Sequence, residues 1–485
     1  MEESSPRRKG LVLAALCATM FMAMLDNVIV NNALPRIGED LHAGISGLQW
    51  VVEGYSLVYA ALLLTGGTLG DLYGRRRIFL TGLALFTAGS AAAALSGSIG
   101  MLVTARLLQG LGAALLTPGS LAILRHVFTE ERERARAVGL WSGVSALGLA
   151  LGPVVGGPLV DTFGWASVFW INVPIGVAGW VLAVSVLPEF ATRARRIDAP
   201  GQLFSALGFG SLVYALIEGP TRGWGDGWVL VFAAVAVLAL GAFVMVELRA
   251  LDPMLDLRFF GDRVLGGAAL TGFVVSFGMF GATFFLPLMM QGLMGWSPSD
   301  AGLAGLPMTA VIVVAAPLSG ALTSRGGPRV PLVAGLALCA VGLGGLSLYG
   351  ADARYPEYVW VLLTMGFGMG MTFTPVSITV MSRVAPEQAG MASATVNTLR
   401  EVGGVVGVAV LGAVFTGRMS APLHEATEAA FVEGLHLAVR CGGGALAVTA
   451  VVVAVLLRPG RGGPVDGPAG VRASGAGRQP EITVS

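Results

Sequence analysis

The sequence predicts an all-α, polytopic membrane protein with fourteen transmembrane helices. Apolar residues make up 55% of the chain, only 12% of its residues are charged, and the mean hydropathy is +0.77. Such a composition is typical of membrane proteins. The apolar residues fall in runs of roughly 20 to 25 residues separated by short polar loops, and a run of that length crosses about 30 Å of hydrocarbon as a helix.

The first apolar run ends in Asn-Asn-Ala-Leu-Pro and has no small-residue cleavage site, so we interpret it as a retained helix rather than a signal peptide. Thirteen further runs follow it along the chain. In order, the predicted helices cover residues 11–34, 48–70, 77–97, 100–123, 136–160, 166–187, 199–219, 226–248, 265–288, 300–323, 329–349, 356–380, 392–416 and 434–457.

The arginines predict the orientation, because positively charged loops stay on the cytoplasmic side. With an even number of helices, both termini lie on one side. Placing the N-terminus inside also puts inside the basic residues at 7–9, 75–77, 125–136, 193–196, 249–263, 325–329 and 383. The opposite loops hold only Arg36, Arg222, Arg354 and Arg418, with Arg440 near a helix end. We therefore expect a multi-pass protein of the bacterial inner membrane with both termini in the cytoplasm.

The helices repeat with an offset of eight. Thr-Pro occurs inside a helix at 117–118 and at 374–375, and the next helices carry Gly148 and Gly152 against Gly403 and Gly407. Two parallel six-helix halves separated by a two-helix insert explain this offset, an arrangement typical of alternating-access transporters. Chance similarity between glycine-rich helices is the alternative. The predicted parts are a cytoplasmic N-terminus (1–10), a first half (11–187), an insert (199–248), a second half (265–457) and a disordered cytoplasmic tail (458–485).

Several function classes are disfavoured by what the sequence lacks. Its three cysteines, Cys17, Cys339 and Cys441, lie in or at predicted helices, which argues against a disulfide framework or a metal cluster. The four histidines have no ligand spacing, and there is no phosphate-binding loop of the Walker type. No nucleophile–base pair of an enzyme is recognisable. We therefore expect no metal, no cofactor, no nucleic-acid partner and no ATP-driven cycle, but a protein driven by the proton motive force.

Three charged residues lie inside predicted helices at similar depth. Counted at 1.5 Å per residue from the presumed outer ends, Asp26 is about 12 Å, Glu53 about 8 Å and Arg106 about 9 Å into the membrane. Ionisable groups inside a span are costly, so they face a cavity and usually pair. Two acids and one arginine leave one carboxyl group that can exchange its proton. We predict Asp26 as the leading proton-coupling site, Arg106 as its modulator, and Glu53 as a second acid or a contact for cationic substrates. The alternative is that Asp26 is a permanently paired structural charge.

Motifs in the first half resemble those of the major facilitator superfamily. The segment GTLGDLYGRRR at 67–77 resembles its signature between helices 2 and 3, RLLQGLGAA at 106–114 resembles its fourth-helix motif, and GLALGPVVGGP at 148–158 is similar to its antiporter motif. LDNVIVNNALP at 25–35 and WINVPIG at 170–176 resemble the fourteen-helix drug/proton antiporter branch. The resemblance covers nearly the whole chain and implies the major-facilitator fold with helices arranged 6 + 2 + 6. It supports Asp26 and Arg106 more than Glu53.

The loop at 67–77 is predicted to act as a cytoplasmic gate. Gly70 and Gly74 permit a tight turn at the membrane surface. Asp71 can accept hydrogen bonds from Arg75 or Arg76, and such contacts can exist in one conformation of the two halves and be absent from the other. The alternative is that the arginines only set the topology.

Gly148, Gly152 and Gly156 recur every four residues and therefore line one face of the fifth helix, where another helix can approach closely. Pro153 weakens the backbone hydrogen bonding there and allows a bend. This face is the predicted antiporter seam, and simple close packing is the alternative reading of the same residues.

Further polar side chains inside helices are candidates for a cavity between the halves: Asn31, Gln109, Asn172, Asn397, Arg400 and Glu401. For Arg400 and Glu401 a structural bond between helices is an equal alternative. Glu218, near the outer end of the seventh helix, is interpreted as a solvated terminus.

Together these features predict a proton-coupled antiporter that exports lipophilic drugs or antibiotics, cations among them, by alternating access. One alternative is a dedicated proton-coupled exporter of a single endogenous metabolite or lipid. Another is a membrane receptor without transport activity, which the costly charges inside the membrane disfavour. The sequence leaves the oligomeric state open.

Overall fold

The fold is all-helical in the computed structural model, which describes residues 6–188, 198–250, 261–350, 352–384, 389–418 and 428–457. Fourteen helical segments of this part of the chain are long and apolar enough to cross a membrane, as predicted. The predicted tail at 458–485 and the first five residues of the N-terminus lie outside the described residues.

Sixteen α-helices form these fourteen spans. They are α1 (Pro6–Asp40), α2 (Ile45–Tyr73), α3 (Arg75–Ala94), α4 (Ile99–Val127), α5 (Glu131–Phe163), α6 (Ser167–Trp170), α7 (Asn172–Val186), α8 (Ala199–Arg222), α9 (Gly227–Arg249), α10 (Arg263–Pro287), α11 (Pro298–Ala304), α12 (Leu306–Gly326), α13 (Arg329–Gly345), α14 (Tyr355–Arg383), α15 (Ala389–Thr416) and α16 (Glu428–Leu456).

Two spans are broken, and a third changes its winding. The sixth span consists of α6 and α7, and the tenth of α11 and α12. Pro307 lies in the first turn of α12, where its missing N–H would have had no helical partner. The ninth span continues from α10 into a π-helix, Leu288–Leu293. Several helices also extend beyond the predicted apolar runs, because helical hydrogen bonding continues into the polar flanks.

Side chains at the ends of the helices fix several of their boundaries. The Asp226 carboxylate accepts hydrogen bonds from the N–H groups of Trp228 and Val229 at the start of α9. Asp262 does the same at the start of α10. Such capping satisfies N–H groups that have no partner within the helix.

The first six spans and the last six pack in the same order. Helix α1 packs on α5 and α7, α2 packs on α4, and α3 packs on α4 and α7. Eight spans later, α10 packs on α15 and α16, α12 on α14, and α13 on α14 and α16. The hairpin of α8 and α9 lies beside these two sets, with α8 against α2 and α15.

Candidate functional site

A buried ion pair joins α1 to α4. Arg106 Nη1 donates to Asp26 Oδ2 at 2.6 Å, and both side chains are almost fully shielded, with 1% and 0% of their surface exposed. The other carboxylate oxygen, Oδ1, accepts hydrogen bonds from Gln109 Nε2 at 3.1 Å and from Asn172 Nδ2 at 2.6 Å. Helices α1, α4 and α7 therefore meet at one carboxylate.

Arg106 is held by more than its acid. Its Nε donates to the carbonyl oxygen of Val51 on α2 at 2.9 Å, and Nη1 also donates to Gln109 Oε1 at 3.0 Å. The guanidinium carbon lies 4.5 Å from the ring centre of Tyr55 and 5.8 Å from that of Phe169. Ring faces attract a cation most strongly when water is excluded, so the positive charge is fixed in place.

Gln109 extends the network to α3, because its Nε2 also donates to Ser90 Oγ at 2.7 Å. Asn31 is buried on α1, and its Oδ1 atom has no hydrogen-bond partner among the described residues. Of the polar residues predicted to line a cavity, Gln109 and Asn172 therefore contact Asp26 directly, whereas Asn31 makes no such contact in the described part of the chain.

Glu53 lies apart from this pair. It is 1% exposed on α2, and its Oε2 has no hydrogen-bond partner among the described residues. Glu53 interacts electrostatically with Glu401 on α15, in the other set of six spans. Depth alone suggested that Glu53 would share Arg106 with Asp26; the structure turns Glu53 towards α15 instead.

Arg400 and Glu401 do not form an ion pair in the described structure, although they are close enough to interact electrostatically. The Arg400 guanidinium lies 4.0 Å from the ring centre of Phe373, while Arg400 Nε and Glu401 Oε2 lack hydrogen-bond partners in the same part of the chain. Asn397, one turn earlier on α15, is exposed. Arg400 and Glu401 thus carry hydrogen-bonding capacity that the described residues leave unused.

The glycine face of α5 packs directly against α1. A Cβ atom at Gly148 would lie 2.7 Å from the Phe21 carbonyl oxygen, and one at Gly156 would lie 2.7 Å from a side-chain carbon of Ile29. Gly152 faces the same helix, at Val28. Contacts below 3.0 Å force atoms to shift, so the glycines set the separation of α1 and α5 on either side of Asp26.

Pro153 also contributes to this seam. The Pro153 carbonyl oxygen accepts a hydrogen bond from Asn32 Nδ2 of α1 at 2.9 Å. The bond joins α5 to α1 about two turns before α1 ends at Asp40.

Three hydrogen-bonded contacts join the first six spans to the last six at the end of the molecule that is poor in arginine. Gln49 Nε2 donates to the Val408 carbonyl oxygen at 2.9 Å, and Gln291 Nε2 donates to the Asn32 carbonyl oxygen at 3.0 Å. The N–H of Ser299 donates to Asp161 Oδ2 at 2.9 Å, and the Ser299 hydroxyl donates to the same oxygen. These contacts hold the two sets of spans together at the arginine-poor end.

The predicted gate loop at 67–77 is almost entirely helical, because α2 continues to Tyr73 and α3 begins at Arg75. Gly74 alone makes the turn between them at the arginine-rich end, and Gly70 lies inside α2, so the expected turn at Gly70 is wrong. Arg75 donates to Asp71 Oδ1 from Nη2 at 2.7 Å and from Nε at 3.1 Å. Arg76 instead donates to the Val184 carbonyl oxygen on α7 at 2.7 Å. Gly74 has a φ of +100°, which L side chains rarely adopt, so the turn requires glycine.

Sequence reasoning missed several residues of the site. Ser90 and Tyr55 are uncharged residues of apolar helices, and no sequence signal distinguishes them from ordinary core residues. Gln49 lies near a span end, where amides are usually solvated, and its acceptor, the Val408 carbonyl oxygen, lies eleven spans later in the chain, so no local sequence signal pairs the two.

Comparison with known families and proteins identifies a matching family and several relatives of this chain. The sequence model described as Major Facilitator Superfamily matches residues 16–408. The multidrug resistance protein Stp of Mycobacterium tuberculosis is 41% identical over 426 residues, covering 87% of this chain and 79% of that protein. The tetracenomycin C resistance and export protein of Streptomyces glaucescens is 38% identical, covering 84% and 76%. The puromycin resistance protein pur8 of Streptomyces alboniger is 37% identical, covering 93% and 92%.

Solved structures agree on the fold. A bacterial homologue of the human lysosomal transporter Spinster, in an inward-facing and occupied conformation, superposes with a TM-score of 0.66 at 18% identity, covering 93% of this chain and 97% of that one. A peptide transporter in complex with sulfate superposes with a TM-score of 0.67 at 14% identity, covering 92% and 94%. At these identities the likeness concerns the fold alone.

Proposed function

The chain belongs to the major facilitator superfamily, and from this premise we propose that it exports small lipophilic drugs or antibiotics in exchange for protons. Its relatives include proteins named for multidrug resistance, for antibiotic resistance and for the export of an antibiotic. The buried Asp26–Arg106 pair is the observation that carries the proposal of proton exchange.

Alternating access by two six-helix halves is supported by the packing. The helix pairs of the first six spans recur, in the same order, in the last six. Two similarly built halves can rock about the cavity between them and expose it to one side of the membrane at a time. The three hydrogen-bonded contacts at the arginine-poor end close that side in the present conformation.

Proton exchange is supported by the position of the Asp26–Arg106 pair. Breaking a buried ion pair leaves two uncompensated charges in a poorly polar environment, which is strongly unfavourable. If α1 moves away from α4 during the cycle, Asp26 lowers this cost by taking up a proton, and it releases the proton when Arg106 returns. The glycine seam allows α1 and α5 to move as one packed unit.

The proton motive force supplies the energy for such a cycle. One proton moving down a membrane potential of about 100 mV supplies about 2.3 kcal/mol, before any pH gradient is added. No bound cofactor is needed in this scheme, because the proton motive force drives it.

The substrates are proposed to be small and lipophilic, with cations among them. The carboxyl groups of Glu53 and Glu401 support the cationic class, because they interact electrostatically and lie on α2 and α15, two helices that pack on each other. A dedicated exporter of a single compound is the second candidate, since two of the relatives above are named for one antibiotic each.

The orientation follows from charge. We place the arginine-rich end, with both termini, in the cytoplasm of a bacterial cell and the arginine-poor end outside its inner membrane. The closed arginine-poor end then makes the present conformation one that is sealed towards the outside.

The test is proton release from everted membrane vesicles that contain the protein, measured while a panel of lipophilic cations and aromatic antibiotics is added. We expect at least one compound to collapse the pH gradient with the parent protein and with Glu39→Gln, which changes an exposed acid on the same helix as Asp26. The same compound should have no effect with Asp26→Asn. Equal responses from Asp26→Asn and the parent would remove Asp26 from the coupling mechanism, and no response from any compound would contradict multidrug export.

A further inference from the structure

The hairpin of α8 and α9 lies where the two sets of six spans meet. Helix α8 packs on α2, which belongs to the first set, and on α15, which belongs to the second. Helices α2 and α15 also pack on each other. If the two halves rock, α8 can keep its contacts with only one of these two helices, and it has to slide along the other.

Helix α8 contacts α2 through hydrogen bonds, which hold the two helices in one relative position. Trp50 Nε1 donates to Glu218 Oε1 at 3.0 Å near the arginine-poor end. Near the arginine-rich end, Gln202 Nε2 donates to the Ala61 carbonyl oxygen at 2.6 Å, and the Thr65 hydroxyl donates to Gln202 Oε1. Glu218 and Gln202 are separated by about 24 Å along α8. The helix is therefore bonded to α2 close to both of its ends.

The bond from Trp50 is reinforced by charge. Arg222 Nε donates to the second oxygen of Glu218 at 3.1 Å, and 16% of the Glu218 side chain is exposed. The prediction that Glu218 is a solvated helix terminus is therefore wrong, because its carboxylate accepts hydrogen bonds from the Trp50 indole and from the Arg222 guanidinium. Hydrogen bonds to an ionised acceptor are roughly twice as strong as neutral ones.

The contact with α15 is apolar. Val213 and Ile217 of α8 pack with Val405 and Ala409 of α15. Among the described side chains of these two helices, no hydrogen bond joins α8 to α15. An apolar contact has no preferred direction, so a helix can shift along it at low cost provided that apolar area stays covered.

We infer that the α8–α9 hairpin is carried by the first six spans, bonded to α2, and that α15 slides along its apolar face when the halves rock. Gln202, Glu218 and Trp50 are then positioning residues for α2, the helix that carries Glu53. The inference rests on the proposed alternating access and assigns the insert to one of the two moving bodies.

Spin-label distances test this inference in the full-length protein. Cysteines replace three exposed residues at the arginine-poor end: Leu95 after α3, Trp228 on α9 and Leu348 after α13. The native cysteines Cys17, Cys339 and Cys441 are first changed to alanine. Distances are measured by double electron–electron resonance at acid and alkaline pH, with and without a compound that is active in the vesicle assay.

We expect the 95–348 distance, which reports on the two halves, and the 228–348 distance to change together, while the 95–228 distance stays constant. If the 228–348 distance stays constant and the 95–228 distance changes, the hairpin belongs to the second half and the inference is wrong. If the 95–348 distance itself never changes, the proposal of alternating access fails, and the inference fails with it.

Variants provide the second readout. Gln202→Leu removes the hydrogen bonds of α8 with Ala61 and Thr65, and Trp50→Phe removes the hydrogen bond of α2 with Glu218; each variant leaves an apolar side chain in place. We expect both to broaden the 95–228 distance distribution, whereas Val213→Ala, on the apolar face, leaves its width unchanged. A broadening caused by Val213→Ala alone would overturn the assignment of α2 as the anchor.

Discussion

Replacing Asp26 with asparagine removes the negative charge from the buried pair while nearly preserving the size of the side chain. The variant leaves the Arg106 guanidinium inside the helix bundle, where 1% of it is exposed. Arg106 retains two partners, the Val51 carbonyl oxygen and Gln109 Oε1, and the face of the Tyr55 ring. None of these carries a full negative charge.

The size of the effect follows from the burial of both partners. Removing one member of a buried ion pair costs roughly 3–5 kcal/mol, because the remaining charge is uncompensated. The neutral acceptors that remain place Asp26→Asn near the lower end, at about 3 kcal/mol. Such a loss is a large part of the stability of an ordinary domain.

The assay compares melting temperatures of the detergent-purified parent, Asp26→Asn and the double variant Asp26→Asn/Arg106→Gln. Because a neutral pair removes the uncompensated charge, we expect the double variant to regain most of the stability that Asp26→Asn loses. Transport is measured on the same proteins in vesicles, and there we expect both variants to be inactive.

Two results would refute this reasoning. If Asp26→Asn melts at the temperature of the parent, the Asp26–Arg106 pair does not contribute the predicted value of about 3 kcal/mol to stability. If the double variant transports normally, the pair is structural only, and Asp26 carries no proton.

Three further predictions concern the seam, the gate loop and the second acid. Gly148→Ala places a methyl group against the backbone of α1 and should reduce efflux and the yield of folded protein. Gly143→Ala on the same helix, where nothing lies within 4 Å, should change neither. Equal effects of the two variants would contradict a packing role for the glycine seam. Asp71→Asn weakens the charged bond to Arg75 and should lower the transport rate more than the melting temperature, whereas an unchanged rate would argue against a gate. Glu53→Gln should retain the melting temperature of the parent, because no bond of its Oε2 is lost, and should reduce the protons released per substrate; an unchanged ratio would exclude it from coupling.

The fourteen spans could be predicted because run length and the distribution of arginine are local properties of a sequence. Asp26 and Arg106 could be singled out for the same reason, since a charge inside an apolar run is conspicuous. Their amide partners Gln109 and Asn172 were matched only as parts of family motifs, and their direct bonds to Asp26 depend on how three helices pack.

The direction of Glu53 could not be predicted. Its depth in the membrane resembles that of Arg106, but depth does not specify which neighbouring helix a side chain faces. That direction is set by the packing of α2 between α4 and α15. The role of the insert likewise depends on contacts between residues far apart in the chain, such as Trp50 with Glu218.

Substrate-driven proton exchange by the purified protein tests the central claim most directly. The protein is reconstituted into liposomes with an imposed pH gradient and with the membrane potential clamped at zero, and the entry of a labelled substrate is followed together with internal pH. We predict that substrate accumulates only while the gradient lasts, that protons leave as it enters, and that Asp26→Asn abolishes both. Accumulation that continues after the pH gradient and the potential have been collapsed would contradict proton-coupled antiport.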